Sequence, residues 1–426
     1  MLHPAGVKAS GAGAARSRLR ILPPVAKRVL LVEHSETGHV GGSLTGLLHL
    51  VRGLDRGRYD STLLLYEPKD VHAALDGTGC RVVVLPHVGR QNGGPPSRTP
   101  DTRSGTAAEM RRAVGAVRRF VQKDLPRARA LLPILRAERP DLVHLGNGIK
   151  PNLDGVVAAR WAGVPVIAHE KGLVKYTPFD RLWARAVDTT VCMTDAVRQH
   201  LIAQGVRGTR LEVVHDGLDL AGFQPTRARD EMRATLGLAP GDLAVGMAVN
   251  VQPWKGQDVT LKAVAALATE FPTLKCVLAG GVVRGAEWFH ERIVEFVAAQ
   301  GLGARVRLLG SRQDVPDVLN ALDVVVHASV TPEPFGRILI EAMSLGKPLV
   351  ASGAGGVLEI VEDGRSGLLV PPGDERAMAA ALRRLLADPA LRASIGAAGR
   401  TRAHDHFSVE HFAHAMQDVY DQVLRA

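Results

Sequence analysis

Short apolar runs recur along the chain. Each leads into a polar, glycine-bearing stretch and then into a segment with helical spacing. Residues 28–33, 61–66, 80–85, 141–145, 165–169, 189–194 and 211–215 read as strands in the first half, and 243–249, 274–279, 306–309, 323–327 and 348–351 in the second. Their apolar positions are continuous rather than alternating, as in strands covered on both faces. Residues 44–51, 107–138, 231–236, 375–387, 391–404 and 407–424 carry helical periodicity, and Pro126 is expected to kink or split the second of these. Strand–helix alternation throughout predicts an α/β fold with parallel sheets. The alternation lapses between Gly222 and Gly241 and then restarts, which sets a domain boundary near Phe223.

This pattern predicts a basic, disordered leader over residues 1–26, a first Rossmann-like domain over 27–223 and a second over 224–405. A final helix over 406–426 is expected to cross back to the first domain. Residues 87–105 are rich in Gly, Pro and Ser and read as a long exposed loop.

Composition narrows the class. At 426 residues, 46% hydrophobic and 23% charged, the chain is an ordinary globular one, too long for a single domain. Aromatics are only 4%, so the cores rest on aliphatic residues. Cys80, Cys192 and Cys276 are widely spaced, which argues against a disulfide framework or zinc site and fits a reducing cytoplasm. No run offers the roughly 20 apolar residues of a membrane span. The net charge of +10 points to an anionic partner: a nucleotide, an anionic lipid or a nucleic acid.

The candidate chemistry concentrates in residues 331–343. A strand-like run leads into Thr331-Pro-Glu-Pro-Phe-Gly-Arg337, and a helix follows that stops at Gly346-Lys347-Pro348. Two carboxylates, Glu333 and Glu341, therefore sit on a strand–loop–helix joint. Gly336 lets a ligand approach the backbone at the helix start, where free N–H groups and the helix dipole favour a phosphate. Glu341, more than a turn further on, suits a pair of ribose hydroxyls, and Glu333 in the loop can reach a sugar attached to the phosphates. Lys255, in Asn250-Val-Gln-Pro-Trp-Lys-Gly256, ends a loop that opens into the same cleft and can neutralise a diphosphate. Gly38, Gly41 and Gly42 follow the first strand and let amides approach a phosphate or sugar.

The Glu333-to-Glu341 spacing in this setting resembles the E-x7-E signature of retaining GT-B glycosyltransferases, most closely glycosyltransferase family 4. The likeness is clearest from about Val245 to the C-terminus. It implies two facing Rossmann-like domains, a nucleotide diphospho-sugar donor as substrate with no cofactor or bound metal, and a glycan or lipid-linked acceptor. It further implies catalytic roles for Glu333, His169 and Lys255, with His169 facing the transferred sugar. Donor contacts are implied for Glu341, Gly336, Arg337, Phe335, Asn250, Gly41, Gly42 and Arg312. The family's arginine at the start of the Lys255 loop is here Asn250, which removes one of two positive charges from the leaving diphosphate.

Two other readings share these residues. A nucleotide-sugar epimerase on the same fold needs no acceptor. A basic membrane- or nucleic-acid-binding protein needs no intact site. The set Glu333, Glu341 and Lys255 favours the transferase, for which no nucleic acid partner is expected. Arg111, Arg112, Arg118, Arg119 and Lys123 recur at near-helical spacing beside Val114, Val117, Phe120 and Val121. That pattern suits an anionic membrane surface, and peripheral attachment to the inner face of the membrane is expected alongside the alternative that the apolar face packs on the first domain.

Overall fold

The computed structural model describes residues 26–34, 42–85 and 106–426. All but the last residue of the expected leader, together with Gly38, Gly41 and the 87–105 loop, lies outside the described residues. The described residues form two wholly parallel sheets. The first comprises β1 (Lys27–Glu33), β2 (Tyr59–Leu65), β3 (Arg81–Val84), β4 (Leu142–Leu145), β5 (Val166–Glu170), β6 (Thr189–Cys192) and β7 (Arg210–Val213), in the order β3-β2-β1-β4-β5-β6-β7. The second comprises β8 (Leu243–Ala248), β9 (Leu274–Ala279), β10 (Val306–Gly310), β11 (Val324–His327), β12 (Leu349–Ser352) and β13 (Leu368–Val370), in the order β10-β9-β8-β11-β12-β13. Central strands such as β4 and β11 are buried at every position, as their unbroken apolar runs require. Helices cover both sheets, and the strand order reverses at β1/β4 in one sheet and at β8/β11 in the other.

The helical stretch after the loop is one rod of three pieces: Thr106–Arg119, a wide π turn at Phe120–Asp124, and Leu125–Glu138. The break expected at Pro126 takes the form of that π turn just upstream. Pro126 itself sits in the first turn of the last piece, where its missing N–H costs little. Phe120 packs edge-on against Phe179 and next to Trp183. Met110, Val114, Val117 and Val121, at three- and four-residue spacing, are 70, 63, 44 and 55% exposed. The apolar stripe of this helix therefore does not pack on the sheet.

The chain crosses between the two halves twice, and the crossings are hydrogen-bonded to each other. Leu218 N donates to Phe407 O at 2.8 Å, and Val409 N donates to Leu218 O at 3.1 Å. The last helix, Val409–Arg425, then lies on the first half. Its buried Phe412, Ala413, Met416 and Tyr420 join Leu31, Leu47, Leu50 and Leu63 in one apolar cluster. Gly53 faces Ala413, where an added Cβ would come within 2.5 Å. The Tyr420 hydroxyl reaches His144 Nδ1 at 2.6 Å inside this cluster.

His144 is fully buried, and burial lowers its pKa to about 3, aided by the charge of Lys171. A histidine whose folded pKa is depressed takes up its proton only on unfolding, so its contribution to stability is complete above about 6.5 and is lost as pH falls from there toward 3. The expected loss is about 1.4 kcal/mol per pH unit in that window. His144→Asn keeps an acceptor near the Nδ1 position but cannot titrate. In urea unfolding at pH 7.5 and 5.5, the variant is expected to lose less stability between the two pH values than the wild type. An equal loss would remove His144 as the acid-sensitive group.

Candidate functional site

Parallel strands deliver all their following loops to one edge, and a crevice opens where the strand order reverses. The two reversals face each other across a cleft of about 770 Å³. Gly42, Lys171 and Met193 line it from the first half, and Asn250, Lys255, Arg312 and residues 333–338 with Glu341 line it from the second.

Glu333 is the centre of the second-half wall. Its carboxylate is largely buried and takes two contacts from Lys255 Nζ, at 3.0 and 2.9 Å. Ser329 Oγ donates to it at 2.7 Å, and His327 Nε2 lies at 3.4 Å. Burial alone would raise its pKa. The His327 hydrogen bond and the Lys255 charge outweigh that and bring it down to about 2, so Glu333 is ionised at every working pH. Lys255 also stands 3.9 Å over the Trp254 ring. The pairing depends on Gly256. At φ +69° its backbone lies so close to Ala328 that an added Cβ would meet the carbonyl oxygen at 2.0 Å. Only glycine lets the Lys255 loop press against the end of β11, and Val330 N then donates to Trp254 O at 2.9 Å to hold it there.

The Arg337–Ser344 helix begins at Gly336, whose φ of +100° turns the chain from the Glu333 loop into the helix. Glu341 lies one turn in, 3.5 Å from Arg337, and burial pushes its carboxyl up against the opposing Arg337 charge. Phe335 lines the cleft and is buried beside His215 and Phe407, which anchors the loop against the first half. Arg312 is bound to Asp314 through two contacts, at 2.8 and 2.6 Å. Asn250 lines the cleft and its carbonyl accepts from Gln257 Nε2 at 3.0 Å.

On the first-half side the structure departs from expectation at His169. Its ring is completely buried, stacked on His144 with Phe412 beside it, and it is not among the residues lining the cleft. Burial holds its pKa well below the ordinary value. Two residues further along, where β5 has ended, Lys171 reaches the cleft, and Asp216 holds its Nζ at 2.8 and 2.9 Å. The side chain from the β5 end that lines the cleft is thus Lys171. Lys255 likewise does not stand as a bare charge awaiting a diphosphate but is already engaged by Glu333. Among the described residues every lysine and arginine of the cleft wall has an acid beside it: Lys171 with Asp216, Lys255 with Glu333, Arg312 with Asp314 and Arg337 with Glu341. Gly42 lines the cleft at the start of the Gly42–Gly53 helix; Gly41 lies outside the described residues.

Other contributors carry no motif. Asn147, after β4, donates through Nδ2 to Glu33 at 3.1 Å and to Ser43 at 2.9 Å, and accepts from His34 N at 2.8 Å. Glu359 reaches from the second half to accept Asp195 N at 2.8 Å and Ala196 N at 3.0 Å, while His215 Nε2 stands 2.9 Å away. Thr194 Oγ1 donates to Pro334 O at 2.8 Å, so the loop bearing Glu333 is tied directly to the first half. Adjacency of strand ends at the two order reversals is the signal that leads to Asn147, Ser329 and His327 once strand order is known.

Family models agree with this geometry. Residues 228–402 match the glycosyl transferases group 1 model, and residues 40–221 match glycosyltransferase family 4. The chain belongs to glycosyltransferase family 4. A D-inositol 3-phosphate glycosyltransferase from a Nocardioides species is 34% identical over 323 residues, covering 67% of this chain and 69% of the relative. One from Salinispora arenicola is 32% identical over 327 residues, covering 69% and 72%. Among solved structures, Anabaena HepE with UDP and glucose superposes with a TM-score of 0.72 at 24% identity, covering 92% of this chain and 99% of that one. Sucrose-phosphate synthase from Thermosynechococcus elongatus gives 0.72 at 23% identity, covering 94% and 99%. The fold is GT-B.

Lys255→Met removes the charge that holds Glu333 down. Turnover is expected to drop on the order of 10²-fold, the usual size of losing one electrostatic stabiliser. The acid limb of the rate profile is expected to move to higher pH, because the Glu333 pKa rises toward its ordinary value. Unchanged turnover at saturating donor would remove Lys255 from the chemistry.

Proposed function

We propose that this family 4 enzyme is a retaining glycosyltransferase that moves a sugar from a nucleotide diphospho-sugar to a hydroxyl of a glycan or lipid-linked acceptor. The observation that carries it is the buried Glu333 held by Lys255, Ser329 and His327 beside a helix N-terminus. The donor diphosphate lies against the free amides at the start of the Arg337–Ser344 helix. Glu341 accepts from the ribose hydroxyls, and Glu333 accepts from hydroxyls of the donor sugar. The bond from the anomeric carbon to the diphosphate oxygen breaks with oxocarbenium character. The acceptor oxygen bonds the same carbon on the same face, and its proton passes to the departing phosphate oxygen. Lys255 and Arg337 take up the charge that develops on the leaving group, so the reading needs no metal. The UDP bound to HepE supports a nucleoside diphosphate in this cleft, and the name of the inositol 3-phosphate relatives supports an acceptor that carries an anion. The free state of all three cysteines supports a cytoplasmic site of action.

Among the described residues no helix is long and apolar enough to cross a membrane. The exposed stripe of Met110, Val114, Val117 and Val121, flanked by Arg111 and Arg118, supports peripheral attachment to an anionic bilayer. Sedimentation with phosphatidylglycerol vesicles at low salt is expected to pellet the protein, and Val114→Ser/Val117→Ser to weaken that pelleting. A wild type that stays in the supernatant at low salt would remove the membrane.

Glu341→Ala is expected to weaken nucleoside diphosphate binding by roughly 1.5–3 kcal/mol, the contribution of hydrogen bonds to a charged group. Calorimetric titration with UDP, GDP and ADP in excess chelator measures it. Wild-type turnover retained in the chelator checks the metal-free reading. An unchanged dissociation constant in the variant would overturn the ribose assignment.

A further inference from the structure

A second and larger depression, about 970 Å³, lies on the first half, outside the donor cleft. Its walls are the Thr106–Arg119 helix, Lys150 after β4, residues 175–178 after β5 and the end of the Asp195–Ala203 helix. Five cationic side chains line it: Arg112, Arg119, Lys150, Lys175 and Arg181. Among the described residues none of those lining it is acidic.

Two acids lie beneath the groove floor, Asp180 and Asp124, both buried. Asp180 Oδ2 is occupied by the backbone N–H and hydroxyl of Thr177, both at 2.8 Å. Arg119 is 3.8 Å from Asp180 and 3.4 Å from Asp124, and Lys150 is 3.9 Å from Asp180. Lys150 Nζ donates to Lys175 O at 2.8 Å, and Arg181 to Gln204 O at 2.9 Å. These bonds fix Arg119, Lys150 and Arg181 around the groove, and Lys175 and Arg181 add positive charge beyond that set against the two buried acids. Like charges gathered around one concave surface repel, and an anion within reach of several relieves that repulsion.

The groove and the donor cleft are neighbours along the chain. Lys171 lines the cleft and Lys175 lines the groove, on one loop. Four residues of chain span at most about 14 Å. The groove also lies on the face of the Thr106–Arg119 helix opposite the exposed apolar stripe. Arg112, Ala116 and Arg119 fall about half a turn away from Met110, Val114 and Val117 at 3.6 residues per turn.

We propose that this groove is an acceptor subsite for an anionic glycan, holding carboxylate- or phosphate-bearing units beyond the hydroxyl that receives the sugar. The inference rests on the glycosyltransferase reading above. The reacting hydroxyl sits in the cleft beside Lys171, and the rest of the acceptor runs past Lys150 and Lys175 toward Arg112 and Arg181.

The test uses the full chain and fluorescent oligosaccharides of matched length: oligogalacturonate, a phosphorylated oligosaccharide and neutral maltohexaose. Wild type is expected to bind at least one of the charged probes, more weakly as salt rises, and to leave maltohexaose unbound. Arg112→Glu/Lys175→Glu reverses two exposed charges without touching the core and is expected to weaken charged-probe binding at least tenfold. Titration with nucleoside diphosphates runs in parallel. Unaltered nucleotide affinity with lost probe binding supports the subsite. Equal probe affinity in wild type and variant, binding of maltohexaose as tight as the charged probes, or no charged probe bound would overturn it. Loss of phosphatidylglycerol-vesicle pelleting with probe binding retained would also overturn it and assign these charges to a lipid surface. Failure of wild type to bind any nucleoside diphosphate would instead remove the glycosyltransferase reading.

Discussion

The site depends on keeping one carboxylate charged where water scarcely reaches. Burying Glu333 alone would protonate it, because an isolated carboxylate in a low-dielectric interior is too costly to keep ionised. Lys255, Ser329 and His327 offset that cost, and they arrive from two different strand ends, β8 and β11. Their meeting requires that the two loops touch at backbone distance, which the missing side chain of Gly256 allows. The loop bearing Glu333 is also bonded to the first half through Pro334 O and Thr194. The charge, the loop packing and the contact between halves are therefore one connected arrangement, and disturbing any of the three reaches the others.

The two parts of the cleft were legible in the sequence to different degrees. Glu333, Gly336, Glu341 and Lys255 lie in two short segments whose strand–loop–helix setting shows in local periodicity, and the structure gathers them on one wall. The partners that set their properties do not show. Ser329 and His327 belong to an apolar strand and its end, and only the pairing of β11 beside β8 brings them to Lys255. Glu359 sits on a short helix with nothing local to mark it, yet it bridges the halves by accepting two backbone N–H groups from the start of another helix.

His169 and Lys171 show the limit most directly. Strand alternation says that neighbours point to opposite faces, but not where the strand stops and the cleft starts. The last helix settles that here, since Phe412 and Tyr420 close over the histidines and leave Lys171 at the rim. In the Thr106–Arg119 helix, periodicity marked an apolar stripe but could not tell inside from outside. The stripe faces outward, and the opposite, arginine-bearing face borders a groove.

The route of the chain has a consequence for its synthesis. The second half is topologically an insertion between β7 and the final helix, so the first half emerges from the ribosome with one apolar face uncovered. Leu31, Leu47, Leu50 and Leu63 stay without Phe412, Met416 and Tyr420 until the last residues described are made. During that interval the nascent first half is an incomplete body with a sticky surface, dependent on the intervening residues 243–370 forming their own sheet promptly and out of the way. Slow translation across the second half would lengthen that exposure, making codon usage there a determinant of how much protein reaches the folded state.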